Sequence, residues 1–133
     1  MQIVILYLTT ATVFLVADAI MLKTVMKPLF VKHLGDAVLD SPRMGAAVVF
    51  YMFYVAGLLW LVSWPALRDG VPAQSLVNGA LLGAIAYGTY EFTSYAVMRD
   101  WSLQQVVIDG LWGTALTGGA AFAGVLVTRA MTS

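Results

Sequence analysis

Long apolar stretches separated by short polar breaks set the pattern of this chain. The apolar runs are Ile3 to Leu22, Met44 to Trp64, Gln74 to Met98 and Leu103 to Val127. About 20 residues of apolar helix cross the hydrocarbon core of a bilayer, so each run is long enough to span one. The pattern predicts an all-α, polytopic membrane protein. It would be a four-transmembrane-helix bundle and a single transmembrane domain over residues 1–133, with spans at about 3–22, 44–64, 74–98 and 103–127. Ala17-Asp18-Ala19 has the small residues of a signal-peptide cleavage site. The start, Met1-Gln2, lacks the basic region that signals carry, and the run is long, so the first span is expected to be retained.

The breaks carry their own signals. Lys23 to Arg43 mixes Lys23, Lys27, Lys32, His33, Asp36, Asp40 and Arg43 with Leu29, Phe30, Val31, Leu34, Val38 and Leu39. It is expected to be an amphipathic segment lying on the bilayer between helices one and two. Pro28, Gly35 and Ser41-Pro42 fit a solvated connection equally well. Pro65 is expected to end the second span, with Arg68-Asp69-Gly70 in a tight turn. Arg99-Asp100 is the next turn, and Trp101 stands where an interfacial aromatic belongs.

Composition narrows the chemistry. The chain is 61% hydrophobic and 11% charged, against about 25% charged in soluble domains. Zero formal net charge gives no reason to expect nucleic acid as a partner. The absence of cysteine excludes disulfides, thiolate catalysis and iron–sulfur ligation. The lone histidine, His33, reads as a surface residue and rules out a His-rich metal site. No metal or cofactor is expected, and membrane lipid is the expected surround. Lys23, Lys27, Lys32, Arg43 and Arg99 fall on one side, and Arg68 and Arg129 on the other. Basic loops stay cytoplasmic. The termini are therefore expected in the periplasm, with loops 23–43 and 99–102 in the cytoplasm.

The polar residues inside the spans share one depth. Asp18 lies five residues before Lys23, about 7.5 Å along a helix. Glu91 precedes Arg99, Asp109 follows Trp101 and Tyr51 follows Arg43, each by eight residues, or about 12 Å. Tyr87, Tyr90, Glu91 and Ser94 recur at helical spacing and share a face. Gln105, Asp109, Trp112 and Gly113 form a similar stripe. Gly79 and Gly83, continued by Gly88, make a small-residue seam, and Gly113, Thr117 and Gly124 thin the fourth helix. Small residues let helices approach closely in lipid, so helices three and four are expected to touch along the halves that carry these acids.

A charge at the bilayer centre costs about 2.5–3.5 kcal/mol on insertion scales. The acids must therefore be neutral or meet donors. The residues expected to build this layer are Asp18, Tyr51, Tyr54, Tyr87, Tyr90, Glu91, Thr93, Asp109 and Trp112, with Gln105 as a further donor. No basic residue lies at their depth apart from Lys23 at its edge, so the layer is expected to accept a proton or a cation. Against this stands a purely structural role, with the acids as polar glue and the aromatics as packing.

At these residues the chain resembles a bacterial family of small four-helix membrane proteins, domain of unknown function 2177. The resemblance rests on Asp18, on Phe30 with Leu34-Gly35-Asp36, and on Phe50-Tyr51, Tyr54 and Gly57. It rests most specifically on Tyr87-Gly-Thr-Tyr90-Glu91-Phe-Thr93-Ser94, Arg99-Asp-Trp101 and Ile108-Asp109-Gly-Leu-Trp112-Gly113-Thr114. Members typically read Tyr-Asp-Leu-Thr-Asn where this chain has Tyr90 to Ser94, and often carry Trp where it has Ile20-Met21. The resemblance implies four-span topology in the bacterial inner membrane and brings no activity with it.

Three functions fit. One is a module that binds a proton, a cation or a small amphipathic ligand at the acid–tyrosine layer. A second is an accessory subunit that docks to itself or to a larger membrane complex. A third is a membrane enzyme acting on lipid with Glu91 or Asp109 as general acid–base, although no nucleophile pair, metal-ligand set or phosphate loop supports it.

Overall fold

The computed structural model describes residues 2–34 and 44–132, and every regular element among them is helical. Helix α1 (Gln2–Met21) runs through a π-wound turn (Leu22–Met26) into α2 (Lys27–Leu34). Helix α3 (Met44–Leu58) runs through a second π-wound turn (Leu59–Ser63) into α4 (Trp64–Asp69). Helices α5 (Pro72–Val97) and α6 (Leu103–Thr132) are uninterrupted. The expected interfacial segment begins as α2, which continues α1. The rest of it, with Asp36, Asp40 and Arg43, lies outside the described residues.

The first two helical rods therefore pass the positions where their prolines were expected to break them. Proline has no N–H to donate, and its ring presses on the carbonyl four residues back. Both π turns stand just ahead of a proline, Pro28 and Pro65. A turn widened to i→i+5 bonding relieves that crowding. Lys27 N–H bonds the Leu22 carbonyl, and Trp64 N–H bonds the Leu59 carbonyl. The second rod ends later, at Gly70, whose φ of 71° is the left-handed cap glycine allows. There Gly70 N–H bonds the Leu67 carbonyl and Val71 N–H the Ala66 carbonyl, at 3.2 and 3.0 Å.

Three helical stretches are long and apolar enough to cross a membrane: Gln2–Leu29, Gly45–Asp69 and Leu103–Thr132. The remaining long helix, α5, has 26 residues, about 39 Å of length. Gln74, Asn78, Thr89, Glu91, Thr93 and Ser94 make it more polar than the other three. Of these polar residues only Glu91 is buried, and Asn78, Thr89 and Thr93 are exposed. Ser75, Gly79, Gly83 and Glu91 are buried, whereas Val77, Leu81, Ile85 and Phe92 are exposed.

Packing follows from small residues. A Cβ on Gly79 would stand 2.9 Å from the Gly118 Cα, and one on Gly83 would stand 2.2 Å from the Gly113 carbonyl oxygen. Helices α5 and α6 therefore touch backbone to backbone well below the acid-bearing half, further than the sequence suggested. Gly124 gives the same close seat to Thr10 of α1. The buried face of α1 reads Leu6, Thr10, Phe14 and Asp18, one residue per turn. Phe14 joins Leu116 and Ala120 of α6 in a core cluster against which Tyr51, Tyr54, Tyr87 and Trp112 pack.

Gly83→Ala forces α5 and α6 apart and should lower stability by about 1–3 kcal/mol, seen as a lower unfolding midpoint in detergent. Gly57→Ala meets nothing within 4 Å and should leave the midpoint unchanged or slightly raised.

Candidate functional site

The inward stripe of α1 ends at Asp18, which is only 8% exposed. Two aromatic donors from different helices reach it. The Tyr51 hydroxyl of α3 donates to Oδ2 at 2.5 Å, and the Trp112 indole N–H of α6 donates to Oδ1 at 3.0 Å. Phe14, one turn along α1, holds this arrangement. Its ring lies 5.7 Å from that of Tyr51 and 5.5 Å from that of Tyr54. Its place five residues before Lys23 puts Asp18 nearest the expected interface, yet both its oxygens are occupied by protein donors.

Glu91 is the most enclosed acid, with no exposed surface. Its Oε1 accepts the Trp101 indole N–H at 2.9 Å. Its Oε2 is buried with no hydrogen-bond donor, and its carboxyl neighbours that of Asp109 across the α5–α6 seam. Asp109 is 8% exposed and lies within electrostatic range of Asp18 and Tyr51. The three acids thus converge from α1, α5 and α6. The ion pair Arg68–Asp69 lies at the opposite end of the molecule, at 3.8 Å.

Trp101 departs from its expected role as an interfacial anchor. It is buried, bonds Glu91 and meets the Tyr90 ring edge-on at 5.6 Å. The turn that carries it also caps α6. Ser102 Oγ accepts the Gln105 backbone N–H at 3.1 Å, and Gln105 Oε1 accepts the Ser102 backbone N–H at 2.8 Å. This is a reciprocal capping box. Gln105 Oε1 is therefore engaged at the helix start, and its Nε2 is buried without a partner.

The other expected residues separate by position. Tyr54 shares a 3.0 Å hydrogen bond with Thr117 of α6. Tyr87 lies flat on Gly113, where a Cβ would stand 2.0 Å from its ring. Thr93 stands apart: it is exposed, and its hydroxyl bonds the Thr89 carbonyl of its own helix. Two contributors were missed. Phe14 looked like one apolar residue among many, and only its four-residue spacing from Thr10 and Asp18 marks it. Trp101 could have been found from its ten-residue separation from Glu91 across a two-residue turn.

A cavity of about 510 Å³ opens beside this cluster. Asp18 and Asp109 supply its acid end, and Tyr51, Tyr54, Tyr87 and Tyr90 its phenols. Leu22, Met26, Phe50, Ala86 and Thr89 complete the wall. Leu22, Phe50 and Tyr90 are exposed on the outer surface of the helices, so the wall runs out to the face that meets the surroundings. Glu91 lies behind Asp109, outside the lining.

Tyr51→Phe and Trp112→Phe each remove a donor from a buried carboxyl. Each should cost about 1–3 kcal/mol, measured by unfolding in detergent. In an Asp18→Asn background the same substitutions should cost clearly less, and equal costs in both backgrounds would contradict the bonding described.

No match is found among curated proteins or among solved structures. The family described as "Predicted membrane protein (DUF2177)" matches residues 3–126. The chain belongs to that family, a family of membrane proteins of unknown function.

Proposed function

We propose that this protein crosses the bacterial inner membrane four times and binds a small amphipathic cation that enters its cavity sideways from the lipid. The observation that carries this reading is the 510 Å³ cavity, a size typical of small-molecule sites, about 300–1,000 Å³. One end is carboxyl and phenol, the rest is aromatic and aliphatic. An ammonium or other organic cation would place its charge at Asp18 and Asp109. Its apolar body would lie on Phe50, Tyr54 and Tyr90, whose ring faces also attract cations. Among the described residues no group of His, Cys, Asp and Glu is arranged to hold a metal ion, which favours an organic cation over a metal. Among the described residues the lining offers no His, Cys or Lys, so binding fits better than covalent chemistry on lipid.

The fourth span in this reading is α5. Its large apolar side chains Val77, Leu81, Ile85 and Phe92 face outward, alongside the smaller polar Asn78, Thr89 and Thr93, while Ser75, Gly79, Gly83 and Glu91 face inward. Apolar bulk outside and small residues at the helix contact is the arrangement expected in lipid. The excess of basic residues in 23–43 and 99–102 supports cytoplasmic loops there and periplasmic termini.

Purified protein in lipid nanodiscs, titrated with tetraphenylphosphonium, should give a saturable change in tryptophan fluorescence through Trp112. Asp18→Asn should weaken that binding about tenfold or more, roughly 1.4 kcal/mol. Equal affinity in the variant, or no saturable signal in either protein, would remove this reading. Topology can be read separately, since the chain has no native cysteine. Asp69→Cys should react with a membrane-impermeant maleimide in intact cells, and Asp100→Cys only after permeabilisation.

A further inference from the structure

Among the acids, Glu91 is the one whose surroundings do not account for it. Asp18 has a donor on each oxygen. Glu91 has a donor on Oε1 alone. Its Oε2 is sealed from solvent without a donor, and its carboxyl neighbours that of Asp109. Two ionised carboxylates in contact at this depth repel strongly. One proton between them removes a charge and gives Oε2 the hydrogen bond it lacks, the arrangement known for acid pairs that share a proton.

Among the described residues the groups around the pair supply no positive charge. From α1 they meet Asp18, with Lys23 exposed more than a turn further on. From α3 they meet Tyr51, from α5 Tyr87 and Tyr90, and from the turn Trp101, with Arg99 and Asp100 exposed. The Gln105 amide lies one turn before Asp109 on α6.

The two members of the pair stand differently towards the cavity. Asp109 lines it and Glu91 does not. We propose that Glu91 and Asp109 hold one proton between them, and that a cation entering the cavity against Asp109 expels it. The proton leaves the carboxyl oxygen as the cation arrives, passing to water, so one positive charge replaces another and the charge of the site is conserved. Glu91 acts here as a proton-holding residue that does not touch the ligand. The inference rests on the cation-binding reading and adds exchange to it. By linkage, proton and cation weaken each other's binding equally. Cation affinity should rise with pH, by up to about tenfold per unit while the pair titrates.

The test uses the full chain in nanodiscs, in weakly buffered solution with a pH indicator, titrated with tetraphenylphosphonium. The native protein should release about one proton per cation bound, by the linkage above. Glu91→Gln should still bind but release none, and its affinity should not change with pH. Asp109→Asn provides a second variant if Glu91→Gln does not fold, and should likewise release no proton. Infrared difference spectra should show a protonated-carboxyl carbonyl band that disappears when the cation is added and is missing from Glu91→Gln. Binding without proton release in the native protein, or the same release from Glu91→Gln, overturns exchange and leaves the binding reading standing. No binding in any form of the protein overturns both, while the carbonyl band still reports whether the pair holds a proton.

Discussion

A buried carboxyl group must find donors, and in this protein it finds them on other parts of the chain. Tyr51 and Trp112 reach Asp18 from α3 and α6, and Trp101 reaches Glu91 from the turn before α6. Lipid tails are as apolar as leucine, so helices in a bilayer gain little by hiding apolar surface from one another. Association then depends on close backbone contact and on polar groups that cannot be left facing hydrocarbon. The three acids impose that second requirement on α1, α5 and α6 together.

The glycines meet the first requirement where the acids do not reach. Gly79, Gly83, Gly113 and Gly118 bring α5 and α6 into backbone contact, and Gly124 seats α1 through Thr10. With these helices fixed by close contact, the Phe14 stripe carries Tyr51 and Tyr54 into place from α3. The cavity lies beside these aromatics, with the acids at its inner end and Leu22, Phe50 and Tyr90 at its outer edge. The same residues that stabilise the assembly therefore shape the space a ligand would enter. A substitution that disturbs one is expected to disturb the other, so stability and binding have to be measured on the same variants.

Much of this was legible in the chain, for physical reasons that differ from element to element. Helix length and apolarity gave the four rods, because 20-residue apolar runs have few alternatives. A common level for Asp18, Tyr51, Glu91 and Asp109 along their helices could be counted from the basic and aromatic residues flanking each run. The prolines misled. Pro28 and Pro65 read as helix ends, but a π-wound turn ahead of each absorbs the ring, and no local residue type announces such a turn. Pairing of donors with acids was not legible either. Tyr54 and Gln105 were equally plausible donors, and they bond Thr117 and Ser102 instead. Which donor faces which acid depends on how each helix is rotated, which periodicity leaves free when nearly every position is apolar.

The central claim is that two indole N–H groups, from separate parts of the chain, serve two different buried acids. The chain has four tryptophans, and Trp60 lies on the outer surface, 76% exposed. Nuclear magnetic resonance of protein labelled with ¹⁵N only at tryptophan tests the claim directly. The account predicts that Asp18→Asn shifts the Trp112 indole resonance and leaves Trp101 in place, while Glu91→Gln does the reverse. Indole resonances of Trp101 and Trp112 that ignore both substitutions and resemble that of Trp60 would contradict it.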